Sequence, residues 1–246
     1  MSIVAHKLRR VVNPEVDFVY TGSPAPFRVM VNGTGTGTFN VPFSGFPKPK
    51  DVMILYVGVS YTTDLTITLA SSGWTKVTEI YANDTKASNL AVFWKAMGPT
   101  PDTGVDVNYL TGGNAGAHIA WAHLLRNVDN TTPILNFETA TKTNGVLITP
   151  PSITTTKNNT WTSHVMFMAH DEGGGARIYT NTGAFFRPSF SNGQSAGTND
   201  GAMAIGYVKD IPGGTTISPP QMEVVEAFVD NTAYSAASIA LEINPR

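Results

Sequence analysis

DVMILYVGV, at residues 51–59, is followed by three more strand-like segments: GWTKV at 73–77, LAVFWKA at 90–96 and HIAWAHLLRNVD at 118–129. Each is short and rich in apolar, β-branched or aromatic residues. Each is separated from the next by Gly, Asn, Asp or Pro, which favour turns. None of the four carries a recognisable catalytic motif. The pattern predicts a β-sheet whose side chains are used mainly for packing.

Strand-like segments continue to the end of the chain, at residues 105–109, 145–149, 160–169, 201–209 and 235–243. Towards the N-terminus, residues 27–32 and 39–43 alternate between apolar and polar side chains, as half-buried strands do, and a hairpin between them fits. Only residues 221–228 show helical spacing, and a stretch this short could equally be a strand. The sequence therefore predicts an all-β protein, an antiparallel β-sandwich of jelly-roll-like type.

The N-terminal region is more polar and less patterned than the rest. It ends in TGSPAP at residues 21–26, where the prolines interrupt regular pairing. We interpret residues 1–25 as an N-terminal arm or linker and residues 26–246 as the β-sandwich domain. Within the arm, Phe18 and Tyr20 could pair with the edge of a sheet.

The composition argues against several classes of partner. Charged residues make up 14% of the chain and the net charge is −2, so no positive field attracts nucleic acid. The longest apolar stretch is far shorter than the roughly 20 residues of a membrane helix. No secretory signal is recognisable either. We therefore expect neither a nucleic-acid nor a membrane partner.

Charged residues are scarce, and threonine, with 31 residues, supplies much of the polar surface instead. Uncharged polar side chains keep a surface hydrated and still allow it to dock against a similar surface.

Cysteine is absent, which excludes disulfides and thiolate metal sites.

The histidines are the first candidates for chemistry. His118 and His123 flank Trp121, but residues five apart on a strand point to opposite faces. We therefore expect one packed and one solvated imidazole and no shared metal. The loop at 170–175, HDEGGG, combines an imidazole with two carboxylates and could bind a hard cation or supply a base, or be a mobile loop. Nucleophile and phosphate-binding motifs are missing. We predict no catalytic residue, no metal site and no cofactor.

The aromatic residues divide into two groups. The four tryptophans lie in strand segments and are expected mainly in the core, although exposed rings could stack on sugars. By contrast, Phe185, Phe186 and Phe190 lie in a poorly patterned Gly- and Asn-rich stretch. We predict these three as an exposed apolar contact with a partner.

The order of these segments resembles a module of tailed-bacteriophage virion structural proteins, in the head-decoration and tail-protein group. The resemblance rests on the apolar strand that starts at Asp51, on GWT, on LAVFWKA and on residues 119–129, which resemble a strand ending in aromatic-x-G-V-D. Pro133, residues 150–156 and residues 236–243 extend it, so that it covers about residues 45–243. The sequence departs from the pattern in two places: Lys50 stands where glycine is usual before Asp51, and Leu125-Arg126-Asn127 replaces the usual aromatic-Arg-Gly, which questions the turn geometry there.

The resemblance implies a β-sandwich or jelly roll on the phage head or tail, without catalytic residues. We therefore expect a non-enzymatic virion protein, made in the host cytoplasm, that acts as a capsid decoration (cement) protein. Its partners would be the major capsid protein or tail proteins, and copies of itself in a homo-oligomer. The alternatives are a tail component or adhesin that binds host surface glycan, and a depolymerase. The predicted partner-binding residues are Lys7, Arg9, Arg10, Phe18, Tyr20, Phe185, Phe186 and Phe190.

Overall fold

A computed structural model of the 246-residue chain provides the coordinates. The structure describes residues 17–18, 28–29, 37–43, 47–83, 87–109, 117–143, 147–170, 177–180, 192–193, 200–225 and 235–246.

The described residues form nineteen strands and no helix. The first ten are β1 (Asp17–Phe18), β2 (Arg28–Val29), β3 (Thr38–Pro42), β4 (Val52–Ser60), β5 (Thr68–Leu69), β6 (Thr75–Ala82), β7 (Ser88–Ala96), β8 (Gly104–Asn108), β9 (His118–Arg126) and β10 (Ile134–Lys142). The others are β11 (Leu147–Ile148), β12 (Ile153–Thr154), β13 (Thr160–His170), β14 (Arg177–Thr180), β15 (Asn192–Gly193), β16 (Asp200–Ile211), β17 (Thr216–Ile217), β18 (Met222–Val225) and β19 (Ser235–Ile243).

Every pairing between these strands is antiparallel, as predicted. The central sheet has the order β1-β9-β4-β7-β6, and β2 also pairs with β9. The outer sheet has the order β10-β19-β13-β16-β15. The cap sheet has the order β3-β8-β5. Two smaller sheets, β11-β18-β14 and β12-β17, complete the pairing.

Strand β4 lies in the middle of three layers. Its even-numbered side chains, such as Ile54 and Tyr56, pack in a first core against Phe167 and Ile239 of the outer sheet. Its odd-numbered side chains, such as Leu55, pack in a second core against the cap sheet. All nine residues of the strand are buried. A continuous apolar run is what two-sided burial requires, because successive side chains point to opposite faces.

The first core requires a glycine in β4. A Cβ atom added at Gly58 would overlap the Phe167 ring, which crosses from the outer sheet onto the central sheet at this point. Gly201 in β16 makes room for the same ring: a Cβ there would lie 2.6 Å from its Cζ atom. Phe167 is fully buried. The Phe167 ring thus packs directly on the backbone of both glycines.

Residues 222–225, in the stretch for which helix and strand were both left open, form strand β18. The hairpin between residues 27–32 and 39–43 is wrong, because β2 pairs with β9 in the central sheet whereas β3 pairs with β8 in the cap sheet. Strand β10 was not predicted at all. The jelly-roll connectivity and the division at residue 25 stay predictions.

Candidate functional site

The predicted partner-binding residues fall mostly outside the described part of the chain. Of them, the structure places only Phe18, whose backbone pairs with Leu125 of β9 at the edge of the central sheet. The predicted edge pairing of this segment is thereby confirmed for Phe18. The others lie outside the described residues: Lys7, Arg9, Arg10, Tyr20, Phe185, Phe186 and Phe190.

The entry to β4 is held by an ion pair. Asp51 accepts a hydrogen bond from Arg126 Nε at 3.1 Å, and its other carboxylate oxygen accepts one from the backbone N–H of Lys48 at 2.8 Å. The Asp51 side chain is 7% exposed and that of Arg126 is 34% exposed. One carboxylate thus fixes both the turn before β4 and the end of β9.

The turns on either side of this ion pair have left-handed backbone. Lys50 has φ of 74° and Asn127 has φ of 58°. Most residues with a side chain disfavour this region, which glycine adopts readily and asparagine tolerates. These are the two positions where the sequence departs from the resemblance by lacking glycine. The backbone there has the geometry that glycine would favour.

The tryptophans divide into buried and half-buried rings. Trp121 and Trp161 are 2% and 1% exposed and lie in the first core. Trp94 packs against the edge of that core and Trp74 against the second core, both partly buried. Trp161 stacks on Tyr207 with ring centroids 6.0 Å apart, and Lys209 Nζ lies 4.3 Å from its centroid. The prediction of core tryptophans is confirmed for Trp121 and Trp161.

His123 belongs to a buried aromatic cluster in the first core. Its ring lies 5.3 Å from that of Tyr56 and 5.8 Å from that of Trp121, both in edge-to-face geometry. The Tyr56 hydroxyl shares a 2.7 Å hydrogen bond with Ser163 Oγ of the outer sheet. Burial lowers the pKa of His123 to about 3, because an apolar environment disfavours the charged imidazolium. The ring is therefore neutral at physiological pH.

His118 lies on the opposite face of β9, in contact with the second core. The Tyr109 hydroxyl is 2.6 Å from His118 Nδ1, and the Phe39 ring stacks on the imidazole at a centroid distance of 4.0 Å. The expectation that the two histidines face opposite sides is confirmed. The expectation that one is solvated is wrong, since both are 2% exposed. The reason is that β9 is covered on both faces.

His164 is the third buried imidazole. It lies on β13, on the face of the outer sheet turned away from the central sheet, and is fully buried. Burial lowers its pKa to about 4, although a hydrogen bond with the Pro151 backbone acts in the opposite direction. All three imidazoles are enclosed by the protein, and burial favours the neutral form of His123 and His164.

Among the described residues, no group of three or more His, Asp or Glu side chains could hold a metal ion. No helix long and apolar enough to cross a membrane occurs in that part of the chain. The 170–175 loop, the other sequence candidate for cation binding, lies outside the described residues except for the backbone of His170.

Glu242 is a buried carboxylate that sequence reasoning missed. It lies on β19 with no exposed surface and accepts hydrogen bonds from the backbone N–H groups of Thr156 and Lys157, at 2.6 and 3.2 Å, and from Thr156 Oγ1. These donors all belong to one turn. Its role is to anchor that turn to the outer sheet.

Strand β10 is the most exposed long strand in the described part of the chain. It pairs with β19 on one side and with no described strand on the other. Phe137 is 42% exposed, and Glu138, Thr139, Thr141 and Lys142 are also exposed. We call residues 137–142 the β10 edge. An unpaired edge offers a row of backbone donors and acceptors to another strand.

Neither the protein-family models, nor the curated proteins, nor the solved structures with which the chain was compared match it.

Proposed function

We propose that the chain is a non-enzymatic structural protein of a tailed-phage particle, and that it docks on the capsid as a decoration protein. The observation that carries the proposal is the backbone at Lys50 and Asn127. Both have positive φ, at the two positions where the phage module has glycine. The segments that resemble the module therefore also have turns suited to its sequence pattern.

The outer face of the cap sheet supports a docking role. Thr38 Oγ1 donates to Asn108 Oδ1 at 2.8 Å, and Asn40 Nδ2 donates to Asp106 Oδ1 at 2.7 Å. Across β12 and β17, the hydroxyls of Thr154 and Thr216 lie 2.9 Å apart. Polar groups that already have hydrogen-bond partners lose less hydration energy on burial than unpaired charges do. A surface of this kind suits protein–protein contact.

The N-terminal segment is the proposed anchor. The pairing of Asp17 and Phe18 with β9 ties this segment to the edge of the central sheet. We propose that the residues before it, with Lys7, Arg9 and Arg10, engage the capsid protein. Decoration would then stabilise the shell by joining neighbouring capsomers through many copies of one small contact.

Electron microscopy of particles assembled with variant protein tests the proposal. Deletion of residues 1–16 leaves β1 intact, so we expect unchanged thermal unfolding of the isolated protein and loss of its density from the capsid. The matched control, Asp64→Asn, removes an exposed charge beside Tyr81 of β6, at the opposite edge of the central sheet from β1, and should leave capsid density intact.

Two outcomes would contradict the proposal. Full capsid density with the truncated protein would exclude the anchor. Density on the tail alone would favour the alternative, a tail component that binds host glycan through Phe185, Phe186 and Phe190.

A further inference from the structure

Strand β10 has a sequence that is complementary to itself. Two antiparallel copies can be aligned so that Ala140 lies opposite Ala140 across a two-fold axis. Glu138 of each copy is then opposite Lys142 of the other, and Thr139 is opposite Thr141. Phe137 lies opposite Thr143. Opposite charges, threonine pairs and aromatic–β-branched pairs are the cross-strand combinations that stabilise antiparallel sheets.

Neighbouring registers lack this match. A shift that places Thr139 on the axis sets Glu138 opposite Ala140 and Lys142 opposite Asn136. A shift that places Glu138 on the axis sets two carboxylates opposite each other, which is destabilising. The Ala140 register is thus selected by charge.

The charged side chains that would form these pairs are exposed on β10. Glu138 and Lys142 are both exposed, and neither makes an ion pair with any residue that the structure describes. They lie four residues apart on one face of one strand, about 13 Å at strand rise, which is too far for a contact within the chain. A second copy of the chain carries both of the complementary charges.

We propose that two copies of this chain associate through β10, antiparallel, with the two-fold axis at Ala140. The outer sheets of the two copies then form one continuous sheet, and both open edges are closed. The same surface patch serves both partners, as two-fold symmetry requires. The proposal does not depend on the virion role, since it rests on the β10 edge alone.

A charge-swap series tests the pairing by light scattering coupled to size exclusion. A single strand pair buries less than the roughly 1,200 Å² of a standard interface, so the protein is examined at about 100 µM. We expect the wild-type mass to approach twice the chain mass of 26.2 kDa. Glu138→Lys and Lys142→Glu each turn two attractive pairs into repulsive ones and should weaken association about tenfold or more. The double variant should restore it.

The outcomes distinguish failure of the dimer from failure of its register. A monomeric wild type, or single variants that associate as well as the wild type, would overturn the proposal. Failure of the double variant to recover, with unfolding temperatures equal in all four proteins, would overturn the register.

Cysteine crosslinking tests the position of the axis. The chain contains no cysteine, so Ala140→Cys introduces a single thiol. In the proposed register the two Cα atoms are about 4.5–5.5 Å apart, within the range that a disulfide spans. The matched control is Asn136→Cys on the same face, whose two copies would be about 27 Å apart. We expect a covalent dimer at position 140 under mild oxidation and none at 136. Equal crosslinking at both positions, or none at 140, would contradict the register.

Discussion

Strands β4 and β10 have the same length, nine residues, and opposite environments. Every residue of β4 is buried, because the outer sheet covers one face and the cap sheet covers the other. Most of β10 is exposed, and one of its edges has no partner among the described strands. An interior strand needs only apolar side chains of suitable volume. An edge strand has few such side chains, and its polar pattern instead specifies what it can pair with.

The largest expected difference between the two strands is the response to truncation. Leu55→Ala in β4 removes a fully buried side chain and should lower the free energy of unfolding by about 3 kcal/mol, through lost burial and the cavity left behind. Phe137→Ala in β10 removes a larger side chain that is 42% exposed. We expect it to cost about 1 kcal/mol or less. Urea unfolding of both variants in dilute protein measures the difference, and equal losses would contradict the three-layer arrangement.

The second prediction concerns the contact between the two sheets. Gly58→Ala adds one methyl group where the Phe167 ring lies, so that either the ring or the strand must shift. Overpacking of this kind costs about 1–3 kcal/mol, and we expect a value near the upper end. The control is Gly98→Ala, where an added Cβ meets nothing within 4 Å. A Gly58→Ala protein as stable as this control would show that the sheets are further apart.

The third prediction uses the imidazole next to Tyr56 of β4. The folded-state pKa of His123, about 3, lies below the unfolded value of about 6.5. The unfolded state therefore binds the proton more readily, and the stabilisation is complete above pH 6.5 and lost as the pH falls towards 3. Between pH 7.5 and 5 the loss from this group is about 2 kcal/mol.

Urea unfolding at the two pH values checks this dependence. His123→Phe should lower the pH dependence by about 2 kcal/mol and leave the contribution of His164, whose pKa is similarly lowered to about 4. If the pH dependence of the unfolding free energy is the same in His123→Phe as in the wild type, the imidazole is exposed to solvent and the account is wrong.

The smallest effect is expected at the turn before β4. Lys50 has φ of 74°, which costs a residue with a Cβ about 1 kcal/mol relative to glycine. Lys50→Gly should therefore stabilise the protein by up to about 1 kcal/mol, less the greater backbone entropy that glycine brings to the unfolded state. Lys48→Gly is the control, because no positive φ is found there, and it should not stabilise. Destabilisation by Lys50→Gly would argue against the left-handed turn.

The sequence predicted the interior strands well and the exposed ones poorly. Strands such as β4, β9 and β13 are apolar enough to be recognised, and so the antiparallel all-β class was predicted. β10 was missed because Phe137 is its only large apolar side chain beyond the bulge near Ile134. The cap sheet, which covers the second face of β4, was also missed. An apolar run indicates burial on both faces but does not say which strands provide the cover.

The candidate sites, like the strands, were predicted only in part. The histidine environments were half predicted: strand periodicity placed His118 and His123 on opposite faces, but it could not show that both faces of β9 are covered. The self-complementary pattern from Phe137 to Thr143 is present in the sequence. It becomes meaningful only when the structure shows that this segment is a strand with an open edge.

Hydrogen exchange at two protein concentrations tests the contrast between β4 and β10 most directly. Amides of β4 should exchange only by global unfolding at both concentrations, since the strand is enclosed by two layers and two neighbours. Alternate amides of β10 should exchange rapidly in dilute protein and slowly in concentrated protein, as the two edges pair. Rapid exchange in β4, or β10 amides whose protection does not change with concentration, would contradict the account.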